Sequence, residues 1–245
     1  MTYVGHATTV VELDGVRILT DPLLRPRVAQ LRRLVPLGEP LGRVDAVLVS
    51  HLHFDHFDLR SIRMLGRGVP VVVPRGGAVG LLRRRGFADV RGAAEGAEVR
   101  VGPVLVRAVP ACHPEGRGVP WIGGPALGYV ISGSGSVYFA GDTGFFPEMS
   151  AVRGVDVALL PVAGWGRRLP EAGHLSPLRA AEALRLVEPR VAIPIHWGTL
   201  APLWRRAGHP GRESPAVEFR RLAAEIAPAV DVRVLQPGQA LTVAP

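Results

Sequence analysis

The sequence predicts one mixed α/β domain spanning residues 1–245. Three observations carry that expectation. Short apolar runs of strand length alternate with segments of helical periodicity along the chain. Asp14-Gly15 stands between two such runs, a strong signal for a two-residue hairpin turn. No internal repeat, linker or break in composition divides the sequence.

Taken in order, residues 10–20 are expected to form that hairpin. Residues 22–42, rich in Pro, Arg and Leu, read as an irregular insertion or lid. Residues 44–50 (VDAVLVS) are a near-continuous apolar run, which suits a buried central strand. A helix is expected at 59–65, a strand at 69–73, and a short helix at 76–85 with arginines at its C-terminal end. Residues 98–111 and 128–140 each read as strand-turn-strand, and 155–162 as a strand. Residues 177–187 have helical spacing, with Ser176 as N-cap and Pro177 in the first turn. A strand at 191–195, a helix at 215–226 and a closing hairpin at 232–243 around Pro237-Gly238 complete the pattern.

The formal net charge is +8, from 29 basic and 21 acidic residues, and every basic residue is arginine. Lysine and asparagine are absent, which points first to a GC-rich genome. The absence excludes a Schiff-base or pyridoxal-phosphate lysine and a Walker-type phosphate loop. A single cysteine, Cys112, excludes an intramolecular disulfide framework. No apolar run approaches the ~20 residues of a membrane span, and a cytoplasmic location is expected. The arginines fall in short groups rather than in a basic tail, so charge alone assigns no function.

The informative segment follows the 44–50 strand: Ser50-His51-Leu52-His53-Phe54-Asp55-His56-Phe57-Asp58. Three histidines and an aspartate crowded at a buried strand end would be costly without something to bind. Imidazole and carboxylate together suit Zn²⁺ or another borderline divalent ion.

His-x-His-x-Asp-His after an apolar strand resembles the metallo-β-lactamase superfamily of dinuclear metal hydrolases. Further matching motifs follow in order: Thr20-Asp21-Pro22, a lone His113, Gly141-Asp142-Thr143-Gly144, and Pro194-Ile195-His196-Trp197-Gly198. Gly5-His6-Ala7-Thr8 and Gly173-His174-Leu175-Ser176-Pro177 look like the branch containing ascorbate-6-phosphate lactonase and N-acylphosphatidylethanolamine phospholipase D. The resemblance implies a four-layer αββα sandwich, with two mixed sheets face to face and helices outside. It also implies two divalent metal ions, Zn²⁺ first, with Mn²⁺ or Fe as alternatives. His51, His53 and His113 would hold one ion, Asp55, His56 and His196 the other, and Asp142 would bridge them. A metal-bridging hydroxide would then attack a phosphodiester, phosphorylated or lactone-type substrate, with Asp55 orienting it or shuttling its proton.

Other positions have weaker claims. Asp21 is expected to orient ligands from behind, with a plain Asp-Pro turn as the competing account. His6 and His174 match positions near the site mouth, His6 to bind substrate and His174 to meet an oxyanion or leaving group. Helix capping competes for His174. Arg167 and Arg168 could grip a phosphate, or belong to a solvated loop. Trp121 and Trp197 could line the pocket or the core. Cys112 is read as buried and chemically idle. The expected partner is a small anionic molecule, and the oligomeric state stays open. A nucleic-acid processing or binding protein using its basic surface is the runner-up, though nucleic acid is disfavoured as a partner. A redox or sensing iron protein is a third reading.

Overall fold

The computed structural model describes residues 1–38, 40–114, 123–164, 173–204 and 213–244. One sheet contains β1 (Thr2–Gly5), β2 (Thr8–Leu13), β3 (Val16–Thr20), β6 (Ala46–Leu48), β7 (Val71–Pro74) and β8 (Val90–Ala93), in that spatial order. Between β3 and β6, the short strands β4 (Arg27–Val28) and β5 (Leu31–Arg33) pair antiparallel. The second sheet contains β9 (Glu98–Val101), β10 (Val104–Pro110), β11 (Leu127–Ser132), β12 (Ser136–Phe139), β13 (Val157–Pro161), β14 (Val191–Ile195) and β16 (Asp231–Val232). Strand β15 (Leu200–Pro202) joins β5 to make a third, three-stranded sheet. Each large sheet starts with antiparallel hairpins and continues with parallel strands.

The period of two along each strand explains the layering. Val11, Ile18, Leu48 and Val72 point into the core between the large sheets. Their neighbours Val10, Leu19, Val47 and Val71 point outward, into a second apolar cluster. Helices α1 (Leu59–Met64) and α2 (Gly77–Arg84) cover that outer face through Ile62, Ala78 and Leu82. Helices α3 (Pro177–Val187) and α4 (Pro215–Ile226) pack against each other and against β13 and β14. The expected four layers, helix, sheet, sheet and helix, are therefore present.

Direct bonds link the two large sheets. At the turn end, Ser134 N donates to Asp14 Oδ2 at 2.7 Å. At the other end, Leu127 N donates to Ser50 O at 2.9 Å and Tyr129 Oη donates to Val49 O at 2.8 Å. Leu48 lies between, fully buried. Leu48→Ala is expected to lower unfolding free energy by about 2–5 kcal/mol in denaturant titration, through lost burial and a residual cavity. A loss below about 1 kcal/mol would mean that the inter-sheet core closes around the gap.

Two expectations need correction. Residues 22–42 are not wholly irregular, because β4 and β5 form a tight hairpin there, with Ala29 at φ 46°. Leu23, Val28, Leu31 and Leu200 give it an apolar cluster of its own. The closing hairpin is also replaced. The Pro237-Gly238 turn exists, with Gln239 N donating to Gln236 O, but the two arms do not pair as strands. β16 instead lies parallel to β14, while residues 238–241 bond to the edge strand β1: Tyr3 N donates to Gln239 O and Gly238 N to Tyr3 O. Covering the unpaired backbone groups of an edge strand satisfies more donors than a two-stranded ribbon would.

Candidate metal centre

The chemistry-bearing residues leave the ends of different strands on one rim. His6 follows β1 and Asp21 follows β3. His51, His53, Asp55 and His56 lie on the loop after β6. Asp142 lies three residues past β12, and His196 directly follows β14. His113 lies past the end of β10, and His174 precedes α3. The 51–56 loop is closed by local bonds, with His56 N and Phe57 N donating to His53 O at 3.0 and 2.7 Å. Asp58 then caps α1 through Ser61 N at 3.1 Å and pairs with Arg25 Nε at 2.7 Å. Three residues of the rim, His6, Asp21 and His196, hold positive φ (58°, 32° and 63°), a conformation L side chains rarely adopt. Such strain persists only where the surroundings over-determine it, and it concentrates at functional sites. Gly141 has a geometric reason to be glycine: its φ is +61° and a Cβ would lie 2.5 Å from Ser50 Cβ.

The donor atoms divide into two main groups. His51, His53 and His113 form one, and His6, Asp55, His56 and His196 the other, each with donor atoms within 4.8 Å of one another. Asp142 faces both. Its Oδ2 lies 3.3 Å from His56 Nε2, 3.4 Å from His174 Nδ1 and 4.0 Å from His51 Nε2. Its Oδ1 lies 3.3 Å from His196 Nε2. His51 Nε2, His56 Nε2, His174 Nδ1 and Asp142 Oδ1 are buried without a hydrogen-bond partner among the described residues. Orphaned polar atoms of this kind are rare in folded proteins, and cations held among them would supply the missing partners. The donor set therefore fits a divalent metal.

Asp21 explains how the imidazoles are aimed. Its carboxylate is fully buried and accepts from Ser50 N (2.7 Å), Ser50 Oγ (2.6 Å) and His56 Nδ1 (2.6 Å). Ser50 Oγ, whose hydrogen is directed at Asp21 Oδ2, accepts from His51 Nδ1 at 2.9 Å. His113 Nδ1 donates to Gly173 O at 2.5 Å. Three imidazoles thus have Nδ1 occupied and Nε2 left to face inward, the tautomer a metal requires. Ser50 and Gly173 escaped the sequence reading as parts of the site. A serine at the buried end of an apolar strand needs a partner, and that was the available signal for Ser50.

Several expectations are placed differently. His6 is not at the mouth: it is 1% exposed, with Nε2 3.1 Å from Asp55 Oδ2 and its ring 4.0 Å from that of His196. Its backbone is fixed by Thr199 Oγ1, which accepts from His6 N at 2.9 Å. His174 joins the cluster, while Ser176 supplies the cap of α3. Trp197 is buried and stacks on Tyr3. Cys112 is exposed rather than buried, because it lies beyond the end of β10, where alternation toward the core no longer applies. Arg167, Arg168 and Trp121 lie outside the described residues.

The chain matches the beta-lactamase superfamily domain over residues 16–197. It is 35% identical to a UPF0173 metal-dependent hydrolase of Methanopyrus kandleri, across 98% of this chain and 97% of that one. It belongs to the metallo-β-lactamase superfamily, in the UPF0173 family. A UPF0173 metal-dependent hydrolase of Caldivirga maquilingensis is 34% identical, across 98% of this chain and 96% of its own. The solved structure of Igni18, a metallo hydrolase from Ignicoccus hospitalis, superimposes with a TM-score of 0.73 at 26% identity. It covers 99% of this chain and 97% of that one.

In this superfamily member, most rim imidazoles are held neutral. Burial pushes His6 down to about 3. Burial, aided by neighbouring imidazoles, pushes His53 and His174 down to about 4. Burial also lowers His51 and His113. His56 differs: burial opposes its charge, but Asp142, Asp55 and Asp21 outweigh it and raise it well above the usual histidine value. The same carboxylates that hold a proton there would hold a cation. A histidine with a lowered folded pKa stabilises fully above its unfolded value of about 6.5. That contribution is lost as pH falls through 6.5 towards 4. Below 6.5, His56 is protonated both folded and unfolded, so it adds no slope. Burial raises Asp21, which works the other way, as one carboxyl against five imidazoles. The melting temperature of metal-free protein is therefore expected to fall between pH 6.5 and 4.5. A flat profile over that range would contradict the neutral imidazoles.

Proposed function

We propose that this chain, folded as one domain over residues 1–245, hydrolyses a small anionic substrate with two divalent ions, Zn²⁺ foremost. The observation that carries this reading is the division of the donors into two groups with Asp142 facing both. His51, His53 and His113 would hold one ion. Asp55, His56 and His196 would hold the other. Bound ions would supply Lewis acidity and lower the pKa of a coordinated water towards ~7.

The remaining work falls to the chain. Asp55 accepts a proton from the attacking water, and His6, 3.1 Å from its Oδ2, fixes the carboxylate for that task. His174, half-buried beside Asp142, meets the developing oxyanion or the leaving group. Asp21 and Ser50 keep His51 and His56 in their tautomers. Arg167 and Arg168 would receive the anionic group of the substrate. The resemblance to the lactonase and phospholipase D branch directs the substrate search to phosphodiesters, phosphorylated lactones and N-acyl phospholipids. Among the described residues no helix is long and apolar enough to cross a membrane, and a cytoplasmic site of action is the reading consistent with a single cysteine.

The test combines metal quantification of purified protein with hydrolysis of that substrate panel, with His51→Ala and Asp142→Ala as controls. Metal content near two per chain, with activity abolished in both variants, supports the reading. Fewer than one metal per chain and no hydrolysis across the panel would defeat it.

A further inference from the structure

Seven arginines, at positions 60, 63, 67, 75, 83, 84 and 85, lie within residues 59–88, and that stretch has no aspartate or glutamate. The other 22 arginines stand against all 21 acidic residues, so this stretch holds seven of the eight net positive charges. A genome rich in arginine codons raises arginine everywhere. It does not leave the rest of the chain balanced and empty one segment of acids. The stretch is also one place in the fold: α1 and α2, the outer layer over the first sheet, joined through β7 of that sheet.

All seven side chains are exposed, and six of them lie along the two helices and their ends: Arg60, Arg63, Arg67, Arg83, Arg84 and Arg85. The helices converge at their C-terminal ends. Ala88 N donates to Arg67 O at 3.0 Å, and the Arg67 side chain runs alongside Gly86. Arg63 lies in the last turn of α1, and Arg83 and Arg84 in the last turn of α2. None of the six has an ion-pair partner among the described residues. Attraction to helix C-termini accounts singly for Arg63, Arg83, Arg84 and Arg85, the last being the C-cap of α2. It does not account for Arg60 and Arg67, nor for the missing acids.

We propose that this face docks the phosphate backbone of a nucleic acid, without reading its bases. Guanidinium groups match phosphate oxygens bidentately, and several together displace condensed counterions. A lipid surface fits less well, because Met64 is the one large apolar side chain exposed in this stretch. The more apolar tip of the molecule, Leu203 and Trp204, follows β15 elsewhere. The proposal is independent of the hydrolase reading, since no residue of the face belongs to the metal centre.

The test is fluorescence anisotropy of the full-length protein with a labelled 20-base-pair DNA duplex, from about 50 to 300 mM salt. The patch variant is Arg63→Gln, Arg67→Gln, Arg84→Gln and Arg85→Gln together. The control removes four exposed arginines elsewhere: Arg100→Gln, Arg153→Gln, Arg185→Gln and Arg220→Gln. Wild type and control are expected to bind with a steep salt slope. The patch variant is expected to lose about tenfold or more in affinity at low salt, its slope shallower by about three to four. No binding by wild type at 50 mM salt overturns the proposal, and so does equal loss in patch and control variants. Tighter binding of wild type to phosphatidylserine-containing vesicles than to duplex, lost in the patch variant, overturns it in favour of a lipid surface. Thermal melting checks folding. If the fourfold variant does not fold, Arg84→Gln with Arg85→Gln is expected to show about half the change in slope.

Discussion

Asp142→Ala is expected to abolish hydrolysis and to purify with less than half the metal of the wild type. Asp142 is 2% exposed and is surrounded by His51, His56, His174 and His196, each with a ring nitrogen within 4.0 Å of its carboxylate. Burial works against this carboxylate, but His196, His56 and His51 outweigh it and hold it well below the usual carboxylate range. Its charge is thus the centre of the cluster, and among the described acids it alone lies within 4.0 Å of Nε2 nitrogens from both donor groups. Lewis-acid stabilisation is worth several kcal/mol. At 1.36 kcal/mol per decade, its loss lowers kcat/KM on the order of 10³-fold or more. Metal analysis and steady-state kinetics decide the matter. Full loading with activity within about threefold of wild type would remove Asp142 from the centre.

Asp21→Asn is the second large effect, and it acts through other residues. The amide keeps the shape of the side chain but can accept at one atom only. Ser50 Oγ and His56 Nδ1 both donate to the same Oδ2, while Ser50 N donates to Oδ1. An NH₂ at either position therefore faces a donor. His56 loses its tautomer directly, and His51 loses its own through Ser50 Oγ. Removing such outer partners costs about 10–100-fold in metal affinity, and here both donor groups are affected. Each buried donor left unsatisfied costs a further ~1–3 kcal/mol of stability. Competition with a chelator, followed by calorimetric melting, should show the two proposed ions weakened together. Weakening confined to one ion would mean that the serine link to His51 is idle. A role limited to the Asp-Pro turn predicts lower stability with unchanged metal affinity.

The parts of the fold legible in the sequence are those with local causes. Asp14 and Gly15 both adopt positive φ, so the Asp-Gly turn forms where it is expected. Ser176-Pro177 and Ser214-Pro215 start α3 and α4, and both serine side chains accept from the third residue on. Elements with distant causes were harder to read. The outer edge of β1 bonds to residues 238–241, more than 230 positions away, and β8 (Val90-Arg91-Gly92-Ala93) is made a strand by pairing with β7. The closing hairpin failed because its second arm found a better partner across the molecule. The site divides in the same way. The order His-x-His-x-Asp-His with later Asp and His residues placed the cluster. No local pattern distinguishes a mouth histidine from a floor histidine, so the burial of His6 required the fold.

The bonds between the sheets bear on which ions the centre accepts. Leu127 N to Ser50 O and Tyr129 Oη to Val49 O fasten the second sheet to the strand end from which the 51–56 loop departs. Ser134 N to Asp14 Oδ2 fastens the far end. The spacing between ligands offered by the two sheets is therefore held by one backbone bond and two side-chain bonds, like the jaws of a fixed gauge. An ion of larger radius would work against those bonds. Rotation of His53 and His113, the half-buried imidazoles among the proposed ligands, would meet it more readily than movement of the buried His51, His56 and His196. Calibre, as much as ligand chemistry, is expected to sort the metals offered to this rim.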